Sequence, residues 1–386
     1  MCDLDISERR KPQDGKIKFK RFGPLDIELR VATIPSQGGV EDIVMRILAA
    51  GEPIPLDKLG LSKYNLEQCK ATVSKPYGLF FVCGPTGSGK TTTLHSVLGY
   101  LNTPDTKIWT AEDPVEITQR GLRQVQMNPK AGLTFAVAMK AFLRADPDII
   151  MVGEMRDKET VGTGIEASLT GHLVFATLHT NSAPESIIRL LDMGMDPFNF
   201  ADALLGILAQ RLAKRLCAKC KKPHAAKPEE LKTMLDEYSM ELLNTAKWKL
   251  DHEDAPRLNA KGEAVDRTRE QIEVYKVAQQ KYVEVMKNAL LDAWTKEFGN
   301  EKGEIILNEP VGCDTCGGTG YKGRVGLHEL LIGTDAIKKN IQEHARVAEM
   351  FATALDEGMR TLKQDGIEKV LSGITDMLQV RAVCIK

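Results

Sequence analysis

The sequence has little that would place the chain in a bilayer or on a polyanion. No apolar run approaches the roughly 18–20 residues a membrane-spanning helix needs. The longest stretches are short, such as Leu79-Phe80-Phe81-Val82-Cys83, and read as buried strands. The first residues, Met1-Cys2-Asp3-Leu4-Asp5, lack the apolar core of a secretory signal, so a cytoplasmic location is expected. Lys and Arg total 52 against 53 Asp and Glu, for a formal net charge of −1, so no global field recruits nucleic acid or an acidic membrane. Aromatics make up only 5% of the chain, and no basic patch is interleaved with them as a single-strand channel would require. A nucleic-acid partner is therefore not expected. Internal repeats and low-complexity tracts are also missing.

What is there is enough chain, 386 residues with 42% hydrophobic, for two or three domains. Residues 1–50 read as a partial N-terminal α+β domain, with alternating strands at 16–20 and 27–31 and a short helix at 41–49. Residues 51–76, with Pro53, Pro55 and Pro76, read as a loop-rich linker. Residues 77–216 alternate apolar strands (79–83, 107–111, 148–152 and 173–178) with helical patterns, which argues an α/β sheet. Residues 217–325 hold two cysteine pairs and a Lys/Glu-rich insertion with a helical centre at about 267–297. Residues 326–386 are a helical C-terminal region, broken near Gly358 and Gly366.

Gly84-Pro85-Thr86-Gly87-Ser88-Gly89-Lys90-Thr91 fits the G-x-x-x-x-G-K-[ST] phosphate loop in full, between a buried strand and a helix running from Thr92 to Leu101. The glycines let successive backbone N–H groups face a phosphate chain, and the helix N-terminus adds its partial positive charge. Lys90 would neutralise the β- and γ-phosphates of ATP, Thr91 would offer a hydroxyl to Mg2+, and Thr92 continues the cradle.

Hydrolysis also needs a group that positions water and a carboxylate near the metal. Two segments offer carboxylates: Glu112-Asp113-Pro114-Val115-Glu116, just past a strand, and Asp148-Ile149-Ile150-Met151-Val152-Gly153-Glu154, where an apolar run ends in Gly-Glu. The carboxyl end of a buried strand is where α/β sheets place ligands. Helix capping or a surface ion pair is the plainer reading of either one.

The eight cysteines include two CxxC pairs, Cys217-Ala218-Lys219-Cys220 and Cys313-Asp314-Thr315-Cys316. Each pair can point two thiolates at one tetrahedral metal, and four thiolates close the shell of a structural Zn2+. The long separation of the pairs leaves free reduced thiols or a redox pair as alternatives. Against the redox pair, neither CxxC follows a strand into a helix. Cys2, Cys69, Cys83 and Cys384 read as small packing residues.

Taken together, these motifs resemble the secretion ATPase superfamily. The segment Thr170-Gly171-His172-Leu173-Val174-Phe175-Ala176-Thr177-Leu178-His179-Thr180-Asn181 resembles its histidine box, residues 112–116 its aspartate box, and residues 148–157 its Walker B segment. Arg30-Val31-Ala32-Thr33-Ile34-Pro35 resembles its N-terminal domain, and Met359-Arg360-Thr361-Leu362 its C-terminal region. The most similar branch is the assembly ATPases of type IV pili and type II secretion systems.

The resemblance implies a RecA-like P-loop NTPase core, with a tetracysteine zinc element and a helical C-terminal region. It implies that Glu116 activates water, that Glu154 is the Walker B glutamate, and that His172 and His179 lie near the nucleotide. It implies that Arg30 reaches the phosphates from the N-terminal domain. Lys16 stands where the family usually has arginine; it keeps the charge but loses the planar fork. The assembly branch carries a tetracysteine zinc element and the retraction branch lacks it, so zinc and pilus or pseudopilus assembly are expected together.

A working homo-hexamer, an inner-membrane platform protein, cytoplasmic docking proteins and a peripheral location at the inner membrane come with the resemblance. The rivals are a retraction ATPase, a conjugation or DNA-uptake motor, and a subunit that binds nucleotide without hydrolysing it. The insertion at 221–308 is longer than the family's usual loop and is expected to form a helical protrusion. Residues 1–50 match only the second half of the family's N-terminal domain, so unpaired strand edges and weak N-terminal stability are expected.

Overall fold

A computed structural model of the chain describes residues 2, 4–25, 27–49, 53–253 and 269–384. It begins with an antiparallel sheet of β1 (Gln13–Lys18), β2 (Ile27–Pro35) and β3 (Glu41–Ala49). The helix expected at 41–49 is thus a strand. The spacing of Val44, Ile47 and Leu48 suits a helix, but Gly38 and Gly39 turn the chain with φ of 90° and 78° and lay it along the whole of β2, from Pro35 opposite Glu41 to Ile27 opposite Ala49. Pairing across strands overrides local period here. The register also sets Lys16, Arg30 and Arg46 opposite one another, a row of cations on one face.

Within 51–76 the chain forms α1 (Lys63–Val73), which the proline-based reading of a loop-rich joiner did not resolve. The Ser62 hydroxyl caps it by accepting from Asn65 N, and Cys69 and Val73 are buried.

The central layer follows: β4 (Gly78–Cys83), α2 (Lys90–Leu101), β5 (Ile108–Glu112), β6 (Leu122–Gln126), α3 (Phe135–Phe142), β7 (Ile149–Val152), α4 (Lys158–Leu169), β8 (Leu173–Leu178), α5 (Ala183–Asp192), α6 (Pro197–Ala203) and β9 (Leu204–Leu216). Beyond them come β10 (Lys222–Ala225), α7 (Pro228–Glu253), α8 (Arg269–Phe298), β11 (Ile306–Glu309) and β12 (Tyr321–Ile332). The chain ends with α9 (Asp335–Gln342), α10 (Val347–Asp356), α11 (Leu362–Leu371) and α12 (Met377–Val383).

The four strands expected from apolar runs are β4, β5, β7 and β8. All are parallel, and the sheet order is β12-β9-β4-β8-β7-β5-β6, with β12 antiparallel to β9. Alternation along β4 divides the core in two. Leu79, Phe81 and Cys83 face α3–α6, α9 and α10, while Phe80 and Val82 face α1 and α2. Covered on both faces, such a strand can be apolar throughout.

A third core lies under the C-terminal helices. Met234 and Tyr238 of α7 and Trp294 of α8 are buried there with Leu327, Ile367, Val370 and Val380. The helix expected at 267–297 is observed as α8; positions 267 and 268 lie outside the described residues, as do 254–266 of the insertion. Gly366 does not break the C-terminal region. It lies inside α11, where a Cβ would come within 2.7 Å of Val380 Cγ1, so the glycine allows α11 to pack closely on α12.

Candidate active site

The phosphate loop turns from β4 into α2 at the carboxyl edge of the sheet. Gly84, Gly87 and Gly89 have φ of 151°, 79° and 90°, conformations that only glycine adopts without strain. A Cβ on Gly84 would also sit 2.5 Å from Gln210 O. Gly89 is the N-cap of α2 and supplies no side-chain cap, which leaves the first-turn N–H groups of Lys90, Thr91 and Thr92 to face a ligand. Lys90 folds back on the loop, its Nζ donating to Gly84 O at 2.7 Å and Pro85 O at 3.3 Å. Burial pushes the Lys90 ammonium below its usual range, and the charge of Glu154 opposes that. Ser88 is buried and its Oγ has no protein partner. A glycine cradle, an unpartnered hydroxyl and a cation fit a polyphosphate.

Glu154 follows β7, and β8 lies between β7 and β4, so the carboxyl end of β8 fills the space between Glu154 and the loop. His179, just past β8, has its Nε2 3.2 Å from Glu154 Oε1, and Arg156 forms an ion pair with the same carboxylate. Thr177 Oγ1 donates to Gly153 O at 2.5 Å and Met155 N donates to Thr177 O at 3.1 Å, which fixes the turn that presents Glu154.

Glu116 is partly exposed on the loop between β5 and β6. The base of that loop is a buried polar network. His95 of α2 sets Nε2 3.1 Å from Glu112 Oε2 and Nδ1 3.1 Å from Gln119 Oε1. Glu112 Oε1 accepts from Thr110 Oγ1 at 2.7 Å and from Gln124 Nε2 at 2.9 Å. Gln124 also donates to Ile117 O at 2.8 Å, and its Oε1 accepts from Gln119 N at 2.8 Å. The loop touches the N-terminal sheet too, because Lys16 Nζ donates to Val115 O.

Two expected site residues stand apart. His172 precedes β8 at the opposite edge of the sheet, with Nδ1 3.0 Å from Ala167 O. A strand's length, roughly 20 Å, separates it from His179. Arg30 lies on β2, with Nη2 3.8 Å from Asp14 Oδ1, and among the described residues no ion pair joins it to the phosphate loop.

Away from this edge, β9 pairs with β12 and β10 with β11, which brings the two cysteine pairs together despite their separation. The Cys217–Cys313, Cys220–Cys316 and Cys313–Cys316 sulfurs are 3.9, 3.8 and 3.8 Å apart. Four ligands about 2.3 Å from a tetrahedral Zn2+ would be about 3.8 Å apart, whereas a disulfide holds its sulfurs near 2.05 Å. The N–H groups of Gly312, Cys313 and Gly320 donate to these sulfurs at 3.2–3.3 Å. Burial pushes the Cys316 thiol up, but donors from Cys313 and Gly320 outweigh it and bring it down to about 6. The donor set fits a structural zinc ion. Among the described residues, these four are the group of ligating side chains that come together.

Sequence reasoning missed His95 and Gln210. Gln210, buried in β9, donates Nε2 to Ser88 O at 2.6 Å and accepts from Thr93 Oγ1 at 2.7 Å. The only signal for either residue was a polar side chain inside an apolar pattern, Thr-Leu-His95-Ser-Val and Leu-Ala-Gln210-Arg-Leu.

A family model described as type II/IV secretion system protein matches residues 1–382. The type IV pilus assembly ATPase PilB of Pseudomonas aeruginosa is 41% identical over 99% of this chain and 57% of its own length. PilB of Thermus thermophilus is 40% identical over 100% of this chain and 36% of its own. The type II secretion system ATPase E of Vibrio cholerae is 37% identical over 99% of this chain and 63% of its own. The chain therefore spans 36–63% of the length of these curated relatives. Among solved structures, the pilus retraction motor PilT with bound ADP superposes with a TM-score of 0.58 at 24% identity, over 96% of this chain and 77% of that one. The Legionella pneumophila ATPase DotB gives 0.59 at 19%, over 97% and 77%. At these identities the structures show a shared fold.

Proposed function

The chain belongs to the type II/IV secretion system protein family, and on that premise we propose that it is a Mg2+-dependent ATPase working as the motor that assembles type IV pilin or type II pseudopilin subunits. The observation that carries this is the convergence at one sheet edge of an intact phosphate loop, the Glu154–His179 pair and the loop bearing Glu116. Lys90 and backbone N–H groups among residues 86–92 would hold the phosphates, and Thr91 with Glu154 would hold Mg2+. Bound Mg2+ supplies charge neutralisation at the phosphates. Glu116 is the base toward water.

In this reading the motor is a homo-hexamer acting through an inner-membrane platform protein, peripheral to the membrane on the cytoplasmic side. No helix among the described residues is long and apolar enough to cross a membrane. Arg30, in the cationic row with Lys16 and Arg46, is assigned to the phosphates of a bound nucleotide, and ATP and ADP would bias the N-terminal sheet differently. The four-cysteine cluster and relatives named for assembly favour this reading over pilus retraction.

Titration with a fluorescent ATP analogue tests the binding half. Wild-type protein should bind in a Mg2+-dependent manner, and Lys90→Ala should weaken binding by about 10- to 100-fold, the loss of a charge-assisted contact of about 1.5–3 kcal/mol. Equal affinity in the two proteins would contradict the site assignment.

A further inference from the structure

His95 has no place in the reading above, yet it is fully buried in the helix that starts at Lys90. It lies five residues beyond Lys90, about 7–8 Å of helix rise from the phosphate site. Both ring nitrogens face oxygen, Glu112 Oε2 on one side and Gln119 Oε1 on the other. A ring carrying two protons satisfies both; a neutral ring leaves one oxygen opposite a lone pair. The partner Glu112 stands four residues before Glu116, and Gln124 extends the same network to Ile117 O and Gln119 N, on the far side of Glu116. The loop carrying Glu116 is thus held at both ends by groups that converge on His95.

We propose that His95 is a positioning residue for hydrolysis: its imidazolium, clamped between Glu112 and Gln119, fixes the Glu116 loop against the phosphate-binding helix. This rests on the ATPase reading above. A buried pair that served stability alone could be replaced by apolar side chains at little cost. A pair that joins the two halves of a site does something such a replacement would lose.

The charged groups acting on the ring are Glu112, at the end of β5 and in contact with it, and more weakly Glu116, on the loop. Burial alone pushes the imidazole down, but the hydrogen bond and charge of Glu112, with smaller help from Gln119 and Glu116, leave it above its ordinary 6.5. Burial likewise pushes Glu112 up, and its bonds to His95, Gln124 and Thr110 bring it below 4.5. The clamp is therefore complete between those two limits. It fails on the alkaline side as His95 loses its proton, and on the acid side as Glu112 gains one.

The test is steady-state ATP turnover by the full chain as a function of pH for wild type, His95→Gln and the double variant His95→Gln with Glu112→Gln. The double variant keeps a neutral hydrogen-bonded network and guards against a folding defect. Both variants are expected to bind ATP with KM within about twofold, because ground-state contacts are untouched. Both should lose about 10- to 100-fold in kcat, the scale of a displaced catalytic group, and the alkaline fall of the wild-type profile should vanish. Unchanged kcat and pH profile would overturn the inference. So would losses of kcat, KM and thermal midpoint in parallel, which would mark a structural role. If wild type shows no turnover, the ATPase reading goes and this inference goes with it.

Discussion

Gln210, in the middle of β9, donates its Nε2 hydrogen to the backbone oxygen of Ser88 at 2.6 Å. Its Oε1 accepts from Thr93 on the other side of the loop. One buried amide therefore ties the phosphate loop and the first turn of α2 to the neighbouring strand. Gln210→Leu keeps most of the volume and removes both bonds. Leaving the two groups unpaired should cost about 1–3 kcal/mol each at most, read by urea unfolding. Nucleotide affinity should fall as well, because the loop loses its anchor. Unchanged stability and affinity would show that the loop is held by its glycines and Lys90 alone.

The sulfur spacing leads to a metal prediction. Purified protein should carry about one zinc per chain, the number four thiolates complete. Cys316→Ser should lower that content, reduce the thermal midpoint and speed amide exchange in β10 and β11, while ATP affinity in the distant loop stays as it was. Full thermal stability after chelation would argue that the cysteines pack without a metal.

Glu329 of β12 is buried, and its Oε1 accepts from Ala183 N at 2.8 Å at the start of α5. Burial pushes its carboxyl up to about 7, against the opposing donors of Ala183 and Leu362. A carboxyl raised in the folded state contributes stability below its unfolded value, 4.5, and loses it as pH rises through about 7. Glu329→Gln keeps an acceptor and removes the titration. Relative to it, wild type should lose at most about 3 kcal/mol between these limits and then level off. A pH-independent difference in thermal midpoint would contradict this.

Trp294 stacks edge-on against Tyr238 with ring centroids 5.2 Å apart, and Tyr238 Oη donates to Glu368 at 2.7 Å. The base of the insertion is thus part of the third core. Trp294→Ala should cost about 3–5 kcal/mol in guanidinium unfolding. A cost under about 0.5 kcal/mol, as at a surface site, would mean that α8 stands free of the core.

The sequence was most legible where local pattern and tertiary role coincide. Residues 79–83 are an unbroken apolar run and 173–178 are interrupted only by Thr177, because both faces of the parallel sheet are covered, and the phosphate loop is set by glycines at positive φ that other residue types adopt only with strain. Residues 41–49 misled because an isolated period says nothing of the strand opposite. The antiparallel pairing of β9 with β12 joins segments more than a hundred residues apart, with no local sign in either. The polar clamps, His95 with Glu112 and Gln210 with Ser88, are contacts between elements, and each residue alone looks like a blemish in an apolar pattern. Gly366 read as a helix break because its packing reason, Val380, lies on another helix.

The most direct test of the motor reading is ATP turnover measured across size-resolved fractions of this chain and of Glu116→Gln. The expected result is hydrolysis in a hexamer-sized fraction of wild type, lost by about 100-fold or more in the variant while nucleotide still binds, as removal of a general base requires. Full turnover in Glu116→Gln would displace the water-activating role from that residue, and nucleotide binding without turnover in assembled wild-type protein would contradict the motor itself.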